Sequence, residues 1–244
     1  MESGLGDSFL GAVSIDCTTR VLKERVGKHK QAGKCPLTMR AAFNNAIQGR
    51  KRMKKIICIH GGPRKNGNTR AVTALAMDAA RRQQAEIVDI DATTLDFKVP
   101  GCLGCHKCQK SEEFLCSLGD QVAQTVATLP AYDVIVLSTP LYWWSYAAQL
   151  KIFIDRMYSL CKFGEDGKYR MALAGRKLAL IATAGGPMEN NLELLEMQWR
   201  IPAEMMGCSF ESCLFPNVTA APGTLVDDRA IAAKAREFGK MLAC

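Results

Sequence analysis

From Lys54 to the C-terminus, short β-branched runs alternate with segments of helical periodicity, and this alternation restricts the fold more than any other feature of the chain. The strand-like runs are Ile56–His60, Glu86–Ile90, Asp133–Ser138, Lys177–Thr183 and Glu211–Phe215. Between them lie Arg70–Gln84, Asp120–Leu129, Gln149–Leu160, Leu192–Met206 and Asp227–Leu242, all helical in pattern. In the first of these, Val72, Leu75, Ala76 and Ala79 fall at i, i+3, i+4 and i+7, and Pro130 stops the second. Parallel strands need crossover helices, so the pattern predicts an α/β fold, a doubly wound five-stranded parallel sheet covered on both faces. Asp133–Ser138 is apolar enough to be buried on both sides. Ligands of such sheets bind beyond the carboxyl ends of the strands, which singles out the loops 61–69, 139–146 and 184–191.

Composition matters mainly through its unevenness. With 244 residues the chain can bury a core without disulfide staples. No apolar run approaches the ~18 residues of a membrane span, and the N-terminus lacks a secretory arrangement, so a cytoplasmic protein with no membrane partner is expected. The net charge of +8 lies wholly in residues 1–55, and the remainder is balanced. Nucleic acid is therefore not an expected partner of the remainder. Residues 1–52 stand outside the strand–helix pattern and read as a poorly ordered or partly helical basic extension before a domain at 53–244. That extension is either a functionless start-site extension or a basic arm for a partner or an anionic surface. Eleven cysteines without a secretory signal indicate reduced thiols or metal ligands. Cys58, Cys161, Cys208 and Cys213 sit in apolar surroundings as small core filler.

The loop Gly61-Gly62-Pro63-Arg64-Lys65-Asn66-Gly67-Asn68-Thr69 separates a strand from a helix, where backbone N–H groups and the helix dipole favour an anion. It nearly spells a nucleoside-triphosphate loop, but Asn68 takes the lysine position, so a single terminal phosphate suits it better. Thr139-Pro140-Leu141-Tyr142-Trp143-Trp144-Ser145 places three aromatics above the sheet, where a flat ring would pack. Thr183-Ala184-Gly185-Gly186-Pro187 opens another helix with amides free to face a ligand.

These three stretches, with Lys151 and Asp155-Arg156 downstream, resemble the NADPH-dependent FMN reductase and iron–sulfur flavoprotein family from Met53 to the C-terminus. The resemblance implies a flavodoxin-like fold with strand order 2-1-3-4-5. It also implies that Gly62, Pro63, Arg64, Asn66, Asn68 and Thr69 hold the FMN phosphate. Gly62 stands where the family usually has serine, which removes one hydroxyl contact. Pro140, Leu141, Tyr142 and Trp143 are implied to wrap the isoalloxazine, with Thr183, Ala184 and Gly185 at its polar edge.

Cys102-x2-Cys105-x2-Cys108-x7-Cys116 follows the second strand. Four thiols this close suit a tetrahedral metal such as zinc, a [4Fe–4S] cluster, or a metal-free redox loop. Similarity to the iron–sulfur flavoproteins, which carry a compact cysteine run here, implies the cluster, although several FMN-reductase relatives keep loop cysteines without one. His106 is an alternative ligand or a solvated loop histidine. The expected function is an FMN-dependent oxidoreductase with NAD(P)H or ferredoxin as reductant and an unspecified acceptor. No catalytic residue is assigned, because His60 and His106 belong to no acid–base constellation. A non-enzymatic electron carrier or redox sensor and a flavin-free zinc-stabilised module are the rival readings. Relatives pair through the helix bearing Lys151 and Asp155-Arg156, implying a homodimer or homotetramer.

Overall fold

The computed structural model describes residues 52–164 and 167–244. The expected basic extension lies outside the described residues except for Arg52, whose guanidinium pairs with the Asp133 carboxylate. The main elements are β1 (Lys55–His60), α1 (Asn68–Arg82), β2 (Glu86–Asp91), α2 (Gln121–Thr128), β3 (Val134–Tyr142), β4 (Ser145–Tyr146), α3 (Ala148–Arg156), β5 (Cys161–Phe163), β6 (Tyr169–Met171), β7 (Lys177–Thr183), α4 (Glu193–Met205), β8 (Ser209–Phe215) and α5 (Arg229–Leu242). The sheet order is β2-β1-β3-β7-β8, with every pair parallel. Among the five long strands this is 2-1-3-4-5, the flavodoxin-like order.

Side chains alternate across a strand, so each long strand feeds two cores. Ile57, Ile59, Ile135, Leu137, Leu178 and Leu180 pack with Val122 and Val126 of α2, Leu150 and Phe153 of α3, and Leu195 and Trp199 of α4. Ile56, Cys58, Val134, Val136, Ala179 and Ile181 pack with Val72, Ala76 and Met77 of α1 and with Ala235, Phe238 and Leu242 of α5. Burial on both faces explains why these strands read as continuous apolar runs. The α1–α5 crossing is close enough that a Cβ on Gly239 would meet the Ala76 carbonyl oxygen at 1.9 Å.

Asp120 caps α2 by accepting from Ala123 N at 2.9 Å, and Asp228 caps α5 by accepting from Ala230 N and Ile231 N. Three features depart from the sequence-based expectation. The predicted helix Gln149–Leu160 is α3 to Arg156 followed by a 3₁₀ turn, Met157–Leu160. A small antiparallel hairpin, β5–β6, follows it, too short to show a period-2 pattern. A π-turn over Met188–Leu192 precedes α4, with Asn190 at φ +52°. Among the described residues no helix is long and apolar enough to cross a membrane.

Candidate functional site

The carboxyl ends of β1, β3 and β7 converge on a cleft of about 210 Å³. Its anionic end is built by the entry to α1. Ala71 N donates to Gly67 O at 3.1 Å, so the N–H groups of Asn68, Thr69 and Arg70 precede the first intrahelical bond. Gly67 offers no side chain to cap them, and the first turn contains no acidic residue. The loop is seated by Gly61, where a Cβ would come within 2.3 Å of Leu150 Cβ on α3. Thr69 Oγ1 shares a hydrogen bond of 2.6 Å with Thr183 Oγ1, and Thr73 Oγ1 shares one of 2.7 Å with Ser138 Oγ. Strands β3 and β7 are thereby tied to the first turns of α1. Positive charge comes from Arg64; Arg70 also lines the cleft, but its guanidinium pairs with Asp91 Oδ2 at 2.5 Å. A phosphate-terminated group fits this end because donors are present without a competing carboxylate.

Of the thirteen residues implied as FMN-binding, eleven line this cleft: Gly62, Pro63, Arg64, Asn68, Thr69, Pro140, Leu141, Tyr142, Thr183, Ala184 and Gly185. Asn66 and Trp143 do not. Asn68 is also engaged elsewhere. Its Nδ2 donates to Ala220 O at 2.9 Å and its Oδ1 accepts from Leu225 N at 3.1 Å. It thus straps the phosphate loop to the segment after β8, whose Val218, Ala220 and Pro222 form another wall of the cleft. Those three residues, together with His60 and Ser138, were not found from sequence; nothing local in 216–225 marks it as a ligand loop.

Trp143 and Trp144 form the two-residue turn between β3 and β4, with φ +49° and +58°. A turn with both central residues left-handed favours Asn-Gly, and placing two bulky residues there costs on the order of 1–2 kcal/mol each. The turn is held by Trp144 Nε1 donating to Asn190 O at 2.9 Å and by Gln198 Nε2 donating to Trp144 O at 2.9 Å. Trp143 remains 89% exposed. It borders a second, open hollow of about 470 Å³, shared with Pro100, Gly101, Tyr142 and the α3 residues Lys151, Ile152 and Asp155. Tyr142 belongs to both spaces.

His60, 4% exposed, bonds through Nε2 to Asp89 Oδ1 at 2.9 Å, and Arg81 Nη2 donates to Asp89 Oδ2 at 2.5 Å. The bond to His60 is the main influence that holds the Asp89 carboxyl below its ordinary range, with Arg81 adding to it. Cys58, His60 and Asp89 present ligand atoms within 4.8 Å of one another, the one such group among the described residues. The guanidiniums of Arg70 and Arg81 oppose a cation there, and the Cys58 thiol is pushed up by burial.

The cysteine loop is organised from beneath by two buried cations. Arg156, 1% exposed, donates to the carbonyls of Gly101 and Val99, to Cys116 Sγ at 3.3 Å and to Asp120 Oδ2 at 3.0 Å. Lys162 donates to the carbonyls of Cys108, Ser111 and Glu113. Left-handed Gly101, Gly104 and His106 coil the segment between them. Cys108 is buried, and burial is the main reason its thiol is raised, with the charges of Cys116 and Cys102 adding to it. Cys105 lies at the surface, 3.9 Å from Ser117 Oγ, and the Lys107 N–H chiefly lowers its thiol. Around one zinc at ~2.3 Å, four thiolates would stand about 3.8 Å apart. The loop thiols form no group within 4.8 Å. The buried cations Arg156 and Lys162 against the loop suit an anionic sulfur-ligated group. His106 instead approaches Tyr158 Oη through Nδ1 at 3.4 Å.

A model of the family described as NADPH-dependent FMN reductase matches residues 54–205. The chain is similar to an iron-sulfur flavoprotein of Methanocaldococcus jannaschii, 28% identical over 192 residues that span 78% of this chain and 95% of that one. It superposes on an NAD(P)H:quinone oxidoreductase from Methanothermobacter marburgensis with a TM-score of 0.60 at 17% identity, covering 78% of this chain and 99% of that one. An FMN-dependent NADH-azoreductase from Bacillus anthracis, solved in complex with FMN, gives a TM-score of 0.60 at 12% identity over 78% of this chain and all of that one. At these identities the structural likeness is one of fold.

Proposed function

The chain belongs to the NADPH-dependent FMN reductase family, and on that premise we propose that it is an FMN-dependent oxidoreductase that draws electrons from NAD(P)H or reduced ferredoxin and passes them to a separate acceptor. The observation that carries this reading is one cleft in which the uncapped entry of α1, the aromatic end of β3 and the amides after β7 meet. Bound FMN would supply the redox chemistry, accepting electrons in pairs and releasing them singly or in pairs.

The protein's part is binding and orientation. The N–H groups of Asn68, Thr69 and Arg70, with the Arg64 guanidinium, hold the phosphate, while Gly62 and Pro63 keep the loop wall thin. Pro140, Leu141 and Tyr142 form the apolar wall for the ring, and Thr183, Ala184 and Gly185 offer polar groups at its edge. Trp143, exposed on the turn and outside this cleft, takes no part in the ring wall. Asn66, exposed on the loop, serves the phosphate only from the rim.

The second half of the proposal assigns Cys102, Cys105, Cys108 and Cys116 as ligands of a [4Fe–4S] cluster, a group that supplies one-electron exchange with a protein partner. The unit that does this is residues 53–244, assembled as a homodimer or homotetramer through α3 in the cytoplasm, with 1–52 a basic N-terminal extension.

Anaerobic purification with flavin, iron and sulfide analysis, followed by NADH and NADPH oxidation with a quinone acceptor, tests the proposal. FMN retained by wild-type protein and weakened by Arg64→Ala supports it. Protein that retains no FMN after reconstitution with an excess overturns it. Flavin without iron or sulfide in anaerobically prepared protein removes the cluster alone.

A further inference from the structure

We propose that the buried ammonium of Lys162 is the positive charge that sets the reduction potential of the centre ligated by Cys102, Cys105, Cys108 and Cys116, an inference that rests on the cluster reading above. Lys162 lies on β5 and is 5% exposed. Its Nζ donates to Cys108 O, to Ser111 O at 2.8 Å and to Glu113 O at 2.6 Å. Three acceptors use three N–H bonds, so the group is the ammonium; a neutral amine has only two. The Phe114 ring lies 5.4 Å from Nζ.

Among the described residues no carboxylate pairs with this ammonium. Arg156, the other buried cation under the loop, is matched by Asp120 at 3.0 Å and contributes little net charge. Among the described residues, Lys162 is therefore a positive charge without a carboxylate partner in the wall of the cysteine loop. A buried ammonium without a counter-charge is costly, and carbonyl dipoles offset only part of the cost. An anionic sulfur-ligated group against the same wall supplies the missing charge. Because Lys162 grips the Cys108 carbonyl, it also fixes where that thiolate stands. Reduction adds one electron to the centre, so a fixed positive charge nearby favours the reduced form. Lys162 is a positioning residue acting through Cys108, not a group that touches a substrate.

Lys162→Gln and Lys162→Arg, purified anaerobically, separate this role from that of a mere loop staple. Iron, sulfide and FMN are counted, and the cluster is titrated redox-potentiometrically with the flavin as internal reference. The glutamine variant, with its iron intact, should need at least about tenfold more reducing conditions at the cluster, about 59 mV for one electron. The arginine variant should stay near wild type, and the flavin potential should not move in either. A glutamine variant with full iron and an unshifted cluster potential overturns the proposal and leaves the cluster reading intact. If glutamine costs the protein its iron, the arginine variant decides: a wild-type potential supports the proposal and a lowered one overturns it. Wild-type protein without iron overturns the cluster reading and this proposal with it.

Discussion

Replacing Asn68 by alanine separates two roles that its position makes possible. Sequence resemblance places it on the phosphate, whereas the structure engages its carboxamide with Ala220 O and Leu225 N, across the cleft mouth. Each bond is worth ~0.5–1 kcal/mol net at a half-buried site, so the variant loses about 1–2 kcal/mol of loop docking. If the docked loop is required for binding, affinity falls about 5- to 30-fold, at 1.4 kcal/mol per tenfold. The loss should be the same for FMN and for riboflavin, which lacks the phosphate. Flavin fluorescence quenching measures both dissociation constants on one protein preparation, with Arg64→Ala as the control that weakens FMN selectively. A variant that loses FMN affinity while binding riboflavin like wild type refutes the strap and makes Asn68 a phosphate ligand. Unchanged affinity for both refutes either role.

Three further outcomes are expected. Gly239→Ala forces a methyl into the Ala76 carbonyl at the α1–α5 crossing and should destabilise the fold by about 1–3 kcal/mol in urea unfolding while leaving FMN affinity unchanged; no change in midpoint would mean the helices separate freely. Trp143→Asn places a residue tolerant of left-handed backbone in the β3–β4 turn and should raise stability by about 0.5–1 kcal/mol, and a lower midpoint would show that the exposed indole contributes packing. Burial raises the Asp120 carboxyl, but the N–H groups of Lys98 and Ala123 and the Arg156 guanidinium outweigh it and hold it below the ordinary range. A folded value below the unfolded ~3.9 means that this stabilisation is complete above about pH 5 and is lost as pH falls through the folded value. Asp120→Asn should therefore flatten the acid limb of a stability–pH profile, and an unchanged slope would count against the buried pair.

What could be read from the sequence was what is local in it. The phosphate loop spans nine consecutive residues between a strand and a helix, so its chemistry and its place at the sheet edge were visible together. The three central strands β1, β3 and β7 were visible because burial on both faces leaves an unbroken apolar signature, whereas β2 and β8, at the sheet margins, were visible as short alternating runs between helical segments. The partners of Asn68 were not, since Ala220 and Leu225 lie in a segment with no periodicity and no motif. Arg156 and Lys162 were hidden for a related reason: their acceptors are mostly carbonyls more than forty residues earlier in the chain, and carbonyls carry no residue identity. The Trp143-Trp144 turn was hidden because turn chemistry would have placed Asn-Gly there.

The arrangement of cations differs between the cleft and the cysteine loop. At the cleft, negative charge is met by backbone N–H groups at the start of α1 and by side chains open to solvent, a combination that lets a ligand enter and leave. Under the cysteine loop lie Lys162 and Arg156, both buried and both hydrogen-bonded to the loop's own carbonyls, with Arg156 matched by Asp120. Charges fixed that way cannot follow a departing ligand, so they suit a group that is built in rather than exchanged. Tyr142 borders both the cleft of the proposed flavin and the hollow beside Gly101, the residue before the proposed ligand Cys102. Electron exchange between them is thus expected to depend on that side chain's packing more than on any titrating group, and Tyr142→Phe, which keeps the ring and removes only the hydroxyl, should leave the rate of internal electron transfer nearly unchanged, whereas Tyr142→Ala should slow it.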